Sequence, residues 1–174
     1  WCSWSRSGWR FVALFSMDVS EHAPAGTPEA EEARRYLADH PRAERWNGGI
    51  GARQLAWLRG QLAAAARRGE RVAIFCHHPI VAEAAHPQLL LWNAAEVEEA
   101  VSRSGCVAAW FAGHHHEGGY AERAGVHHVT LPAMCDAPVD GNAYAVVEVH
   151  RDRLELHGLG TVPSRRLPAR LPRP

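Results

Sequence analysis

The chain has 174 residues, and its 19 Lys+Arg balance its 19 Asp+Glu, so the formal net charge is zero with every histidine neutral. A neutral chain lacks the basic surface that non-specific nucleic-acid binding and attachment to anionic lipid require. We therefore expect neither nucleic acid nor a membrane as a partner. With 47% hydrophobic and 22% charged residues, the composition predicts one globular domain over residues 1–174.

Cysteine usage and the start of the chain bear on location. The cysteines are scattered and form no CxxC pair, so we expect reduced thiols, with Cys76 and Cys106 as small buried hydrophobes. No stretch reaches about 18 consecutive apolar residues, and the first residues lack the apolar core of a signal peptide. These features predict a cytoplasmic protein. Because the chain does not begin with Met, we also expect it to be part of something longer.

The first half of the chain predicts one strand and two helices. The apolar run over residues 9–15 has the length and residue types of a buried strand. Residues 28–39 are expected to form a helix, because Thr27 can cap it and acidic residues fill its first turn. A glycine-rich turn then precedes an amphipathic helix. Its inward face comprises Leu55, Leu58, Leu62 and Ala66.

Two further apolar runs predict strands that stop at histidines. Residues 72–76 form the first run, which ends at His77-His78-Pro79. Asn93 is expected to cap a helix that ends near residue 104. Residues 106–112 form the second run, and Gly113 with three consecutive histidines follows it.

In the last third of the chain, apolar and polar residues alternate, which predicts the strands of β-hairpins. We expect these strands at residues 126–131, 143–150 and 153–159. The proline- and arginine-rich residues 163–174 are expected to form an irregular tail.

The two histidine clusters, His77-His78 and His114-His115-His116, carry the functional argument. Ligand sites of α/β sheets gather beyond the carboxyl ends of strands, which is where both clusters fall. Gly113 permits a sharp turn, after which His114 and His116 project to one side and His115 away from it. Imidazole binds Zn, Mn, Fe, Co and Ni. A solvated histidine loop is the alternative, and the pairing of two clusters favours a metal site.

Several segments resemble the calcineurin-like metallophosphoesterase superfamily. Its later motifs, an apolar strand followed by H and then G-H-x-H, correspond here to VAIFCHHP and WFAGHHHEGG. The resemblance is closer to one branch, the manganese-dependent ADP-ribose/CDP-alcohol diphosphatases, and covers roughly residues 9–166. The segments that match this branch are WRFVALFSMDVS, WNGG followed by QLAWL, LLLWN, GHHHEGGY and LHGLGTVPSR.

The resemblance implies a fold and a metal centre. The fold is α/β, a metallophosphoesterase-type β-sandwich flanked by helices, of which this chain matches the C-terminal part. His77 and His114 correspond to ligands of one metal ion, and His116 to a ligand of the other. The implied cofactor is a pair of divalent ions, Mn²⁺ in this branch, although Zn²⁺, Fe or Mg²⁺ would suit such a centre. No catalytic side chain is assigned.

The implied reaction is hydrolysis of a diphosphate bond by a metal-bound hydroxide. The substrates would be small nucleotide diphosphates, namely ADP-ribose and CDP-alcohols. Asn47, Asn93 and Tyr120 are candidate substrate-binding residues, with turn formation, helix capping and core packing as their structural alternatives. We expect Glu117 to orient a metal-bound imidazole, and His78 to lie on the surface.

The superfamily's earlier motifs, D-x-H, G-D and G-N-H, do not occur in this sequence. Those motifs supply the bridging carboxylate, so three imidazoles alone make an incomplete ligand set for two cations. The missing N-terminal segment of the same domain is therefore an expected partner. Two alternatives stay open: a catalytically incomplete fragment with a residual histidine metal site, and a calcineurin-like phosphodiesterase or phosphatase of other specificity.

Overall fold

The computed structural model of the chain describes residues 1–169. These residues form two sheets and three α-helices, with a few short 3₁₀ turns between them. The α/β sandwich flanked by helices is confirmed. The strands are β1 (Cys2–Arg6), β2 (Trp9–Ala13), β3 (Arg71–Phe75), β4 (Val107–Ala112), β5 (Gly119–Arg123), β6 (Val126–Thr130), β7 (Ala143–Val149), β8 (Arg153–Gly160) and β9 (Arg165–Pro168). The helices are α1 (Pro28–Asp39), α2 (Ala52–Arg67) and α3 (Ala94–Arg103).

The larger sheet has six strands in the order β1-β2-β3-β4-β6-β5. Its four central strands, β2, β3, β4 and β6, run parallel, and the two edge strands run antiparallel to their neighbours. Central strands buried on both faces need continuous apolar runs, which explains the pattern of residues 72–76 and 106–112. Because β3 and β4 are parallel, the histidines that follow them meet at one edge of the sheet.

Helices cover one face of this sheet. Thr27 accepts a hydrogen bond from the Ala30 backbone N–H, so the predicted cap of α1 is confirmed. Leu55, Leu58 and Leu62 of α2 pack on the sheet, whereas Ala66 is exposed and Ala65 takes its place. The prediction for Ala66 is wrong because the buried face also includes Gln54, which shifts its centre toward Ala65 and away from Ala66.

A three-stranded sheet in the order β7-β8-β9 covers the other face. Leu154, Leu156 and Leu167 point inward against Trp9 and Phe111 of the larger sheet. The alternate positions of β7 and β8 point outward and are exposed or half-buried. The second sheet is therefore buried on one face only.

Two parts of the chain differ from expectation. The tail predicted as irregular contains β9, which pairs antiparallel with β8 because Leu167 can enter the core between the sheets. Residues 170–174 of that tail lie outside the described residues. The edge strands β1 and β5 were not predicted, because their side chains are mostly polar or exposed and their sequences contain no apolar run. No helix within residues 1–169 is long and apolar enough to cross a membrane.

Candidate metal centre

The two histidine clusters meet at the carboxyl edge of the larger sheet. His77 follows β3 and His114 follows β4, and the backbone N–H of Gly113 donates to the His77 carbonyl over 2.9 Å. This bond ties the two loops together. The Nε2 atom of His77 then lies 3.1 Å from Nδ1 of His114. The structure thus brings together two of the three predicted ligands.

The backbone of His114 is unusual. Its φ of +65° lies in the left-handed region, which costs a non-glycine residue about 1 kcal/mol or more. The neighbouring His115 N–H donates to the Gly113 carbonyl over 2.7 Å and closes the turn. The chain accepts this strained conformation at the residue whose imidazole faces His77. Strain of this kind clusters at functional sites.

Asn47 determines which nitrogen of His114 is free. The Asn47 Nδ2 donates to the Gln88 carbonyl over 2.7 Å, which fixes the amide with its oxygen toward His114. That oxygen lies 2.8 Å from His114 Nε2, which must therefore carry a proton. The lone pair of the ring is left on Nδ1, the atom that faces His77. Asn47 is buried, and it acts here as the partner that orients a ligand.

Asp136 determines which nitrogen of His116 is free, and no sequence pattern indicated this role. Its carboxylate accepts a hydrogen bond from His116 Nδ1 over 2.8 Å, which leaves Nε2 free for a ligand. Cys135 lies beside this pair, with its Sγ 3.5 Å from the other Asp136 oxygen. Glu117, which we expected in this role, approaches only His115, at 3.9 Å. Asp136 follows a loop 20 residues beyond His116, so no local pattern pointed to it.

Partial burial favours the neutral form of His77 and His114, because it lowers the pKa of both imidazoles. Desolvation, followed by the nearby His77 and His116, lowers the pKa of His114 to about 4. Desolvation and then His116 also lower the pKa of His77. A neutral imidazole is the form that binds a metal. All three histidines line one open cavity of about 590 Å³ that also has apolar walls, including Phe111 and Leu131.

His78 is a correction to the expectation of a surface residue. It is fully buried, its Nδ1 lies 2.8 Å from the Ser16 hydroxyl, and its ring centroid is 4.1 Å from that of His114. Burial and the neighbouring imidazoles lower the pKa of His78 to about 3. Consecutive residues after a strand project to opposite sides, so His77 faces the cavity and His78 supports it from below.

The predicted ligands fit one divalent cation. Two nitrogens at right angles about an octahedral ion, with bonds of about 2.1 Å, lie about 3 Å apart, close to the His77–His114 separation of 3.1 Å. A second ion would need a bridging carboxylate. None of the cavity-lining residues within residues 1–169 is acidic. Asp18 is buried and is used by Gly51 and Gln54.

The other candidate residues are engaged elsewhere. Asn93 is the N-cap residue of α3, as predicted, but its side chain exchanges two hydrogen bonds with the Ile50 backbone and makes no capping bond to the helix. The Tyr120 hydroxyl lies 3.0 Å from His127 Nδ1, and Arg165 covers its ring. The structure brings neither residue into contact with the three histidines. Their substrate roles, and that of Asn47, stay predictions.

Similarity to curated proteins identifies the class of the chain. No protein-family model matches it. The chain is 33% identical over 172 residues to the manganese-dependent ADP-ribose/CDP-alcohol diphosphatase of Bos taurus, which covers 90% of this chain and 51% of that protein. The protein of the same name from Oryza sativa is 34% identical over 168 residues, covering 86% and 52%. The chain thus spans about half the length of these relatives.

Solved structures show the same fold. A dimetal phosphatase from Danio rerio superposes with a TM-score of 0.91 at 28% identity, over 97% of this chain and 60% of that one. The GAP50 anchor of the Plasmodium inner membrane complex shares the fold at a TM-score of 0.61 and 11% identity.

The fold, with histidines at its strand ends, is that of the calcineurin-like metallophosphoesterases, and the chain matches about half the length of such proteins. Within it, the relatives matched are the manganese-dependent ADP-ribose/CDP-alcohol diphosphatases. The resemblance seen in the sequence motifs is confirmed.

Proposed function

We propose that the chain forms the histidine-bearing part of a divalent-metal-dependent hydrolase that cleaves the diphosphate bond of ADP-ribose or CDP-alcohols. The observation that carries the proposal is the approach of His77 to His114 at adjoining strand ends, with Asn47 fixing the His114 tautomer. The names of the matched relatives support the substrate class.

The proposed cofactor is a pair of Mn²⁺ ions, of which this chain alone fits one. A divalent cation at this edge would supply electrostatic stabilisation of phosphoryl oxygens and activation of water. His77 and His114 would hold the first ion, and His116, oriented by Asp136, would serve the second. The chain spans about half of its relatives, so we infer that an N-terminal segment of the same domain supplies the bridging carboxylate.

The remaining groups set the environment of the reaction. His78 and Ser16 hold His114 from below, and the apolar walls of the cavity lower the local dielectric. No serine or cysteine nucleophile is required by this chemistry. The Cys76 thiol beside the site is buried, and desolvation raises its pKa to about 12, so it stays protonated.

A second candidate function is metal binding without turnover. It is favoured by one observation, the absence of acidic residues among those of 1–169 that line the histidine cavity. For the chain on its own, this candidate and the hydrolase proposal predict the same result. They differ once the rest of the domain is provided.

The test is hydrolysis of ADP-ribose with Mn²⁺ by the chain alone and by the chain co-expressed with the N-terminal half of the Danio rerio relative. We expect no turnover alone and Mn²⁺-dependent turnover in the complex, lost in His114→Ala and retained in His22→Ala, an exposed imidazole elsewhere. A stable complex without turnover, beside an active assembly of the relative's own two halves, would overturn the proposal and favour the second candidate.

The substrate class needs a separate panel. The same complex should hydrolyse ADP-ribose and CDP-choline faster than a cyclic nucleotide. The reverse order would assign the chain to a phosphodiesterase of other specificity. A cytoplasmic location stays a prediction, in keeping with four unpaired cysteines among the described residues.

A further inference from the structure

A second group of potential metal ligands lies on the outer face of the three-stranded sheet. Glu148 on β7 and Glu155 on β8 are direct cross-strand partners, and His157 is two residues further along β8 on the same face. His150 follows β7 and completes the group. We call these four residues the basal cluster. Nothing in the proposed hydrolase chemistry uses them.

The distances within the basal cluster suit a tetrahedral ion. The His150 Nε2 lies 3.4 Å from Glu148 Oε2 and 3.8 Å from Glu155 Oε2. The His157 Nε2 lies 3.5 Å from the same Glu148 oxygen. Ligands about 2.0–2.2 Å from a tetrahedral zinc ion are separated from one another by about 3.3–3.6 Å. One ion could therefore contact Glu148, Glu155 and His157, whose ligand atoms all lie within 4.8 Å of one another, with His150 beside them.

The cluster also has unsatisfied groups. The Nε2 atom of His150 is shielded from solvent and has no hydrogen-bond partner among residues 1–169. Two carboxylates placed directly opposite each other on neighbouring strands repel. Arg153 relieves part of this repulsion, because its Nε lies 2.5 Å from Glu155 Oε1. The other oxygen of Glu155 stays directed at His150.

The basal cluster is separate from the histidine centre. Trp9, at the start of β2, donates its indole N–H to the His150 carbonyl over 2.8 Å, so the cluster lies at the amino-terminal end of the parallel strands. Ala143, at the other end of β7, lines the histidine cavity. The seven residues of β7 span about 20 Å at about 3.3 Å per residue.

We propose that Glu148, Glu155 and His157 bind one zinc ion that bridges β7 and β8, with His150 beside the ion. The imidazole favours Zn²⁺ over Mg²⁺ or Ca²⁺, which prefer oxygen ligands alone, and the two carboxylates neutralise the charge of the ion. The ion would hold β7 and β8 together across the outer face of their hairpin. Its role is structural, because the ion would link two neighbouring strands at the opposite end of the molecule from the histidine centre.

Zinc stoichiometry tests this proposal. Untagged chain is loaded with Zn²⁺, passed through a desalting column and measured by elemental mass spectrometry. The wild type and the His22→Ala control should each retain one zinc more than His157→Ala and Glu148→Gln. These side chains are exposed, so the variants are expected to fold, and equal melting temperatures in EDTA would verify it.

One spectroscopic and one thermal measurement complete the test. Co²⁺ in place of zinc should give the visible absorption of a tetrahedral site in the wild type, and this signal should be lost in His157→Ala. Zinc should raise the melting temperature of the wild type more than that of either cluster variant. Equal zinc content in all four proteins, or retention only at millimolar zinc as an adventitious ion, would overturn the proposal.

Discussion

The six-stranded and three-stranded sheets differ in how many faces are covered. The larger sheet lies between α2 and α3 on one side and the smaller sheet on the other, and its central strands are almost entirely buried. The smaller sheet is buried on one face only, and Tyr144, Val146 and Leu159 are exposed on the other. Stability should therefore depend mainly on the larger sheet.

The same difference separates the two histidine groups. At the larger sheet, partial burial lowers the pKa of His77 and His114, and hydrogen-bond partners orient the rings of His114 and His116. Imidazoles of the smaller sheet lie on an open face among carboxylates. Burial creates a ligand site at one end of the molecule, and cross-strand charge pairing creates a different kind of site at the other.

The largest expected contrast is in packing. Leu58→Ala should lower the free energy of unfolding by about 2–5 kcal/mol, because Leu58 is fully buried between α2 and the larger sheet. Leu159→Ala on the open face should change it by no more than about 0.5 kcal/mol. Urea denaturation of both variants measures the difference. Similar losses would contradict the unequal contributions of the two sheets.

Acid should destabilise the larger sheet. Burial lowers the folded-state pKa of His78 to about 3 and that of His128 to about 4, whereas an unfolded histidine titrates near about 6.5. The unfolded state therefore binds more protons below pH 6.5, and stability falls as pH falls from there toward the folded pKa values. At pH 5, proton uptake by each of these histidines in the unfolded state should lower the free energy of unfolding by about 2 kcal/mol relative to neutral pH.

Urea denaturation between pH 7 and pH 5 measures this slope. His128→Leu should remove a large part of the decline, and the exposed control His22→Leu should leave it unchanged. A wild-type stability that is flat between these pH values would contradict the burial of neutral imidazoles.

Alanine substitutions of Asn47 and Asn93 should distinguish a residue that orients a metal ligand from one that only stabilises the fold. Asn47→Ala removes the acceptor for His114 Nε2 and should weaken Mn²⁺ binding by about 10- to 100-fold. Asn93→Ala breaks two bonds to Ile50 and should lower stability without changing Mn²⁺ affinity. Isothermal titration with Mn²⁺ compares them. An equal loss of affinity in both would mean that Asn47 acts only through the fold.

The smallest effect concerns two neighbouring residues of β6. Both ring nitrogens of His128 are buried without a partner among residues 1–169, so His128→Leu should stabilise the chain by about 1 kcal/mol at pH 7. His127 bonds Tyr120 and the Pro168 carbonyl, so His127→Leu should destabilise it by about 1 kcal/mol or more. Thermal melts compare the pair. Destabilisation by both would indicate a partner for His128.

Periodicity and caps predicted the buried elements closely. The bounds of α1 follow from the Thr27 cap and the acidic first turn, and β3 and β4 follow from apolar runs. The edge strands β1 and β5 gave no signal, because an edge strand needs few inward side chains. In β9 one inward residue, Leu167, lies between arginine and proline, so its pairing depends on β8 and not on local pattern.

The sequence predicted the ligands that directly follow strands, but it did not predict contacts between residues that are far apart in the chain. His77 and His114 were found from their strand ends, and parallel pairing brought them together. Asp136 meets His116 across a loop, and the role of Asn47 depends on Gln88, 41 residues away. His78 was misplaced because sequence does not show which of two adjacent histidines faces inward.

The most direct test of the account is Mn²⁺ binding by the 174-residue chain, followed by electron paramagnetic resonance, beside His114→Ala. We predict one Mn²⁺ per chain and a loss of affinity of about 100-fold or more in the variant. The control variant His22→Ala should keep the Mn²⁺ affinity of the wild type, since the His22 side chain is exposed. Equal Mn²⁺ affinity in wild type and His114→Ala would contradict a metal centre at the ends of β3 and β4.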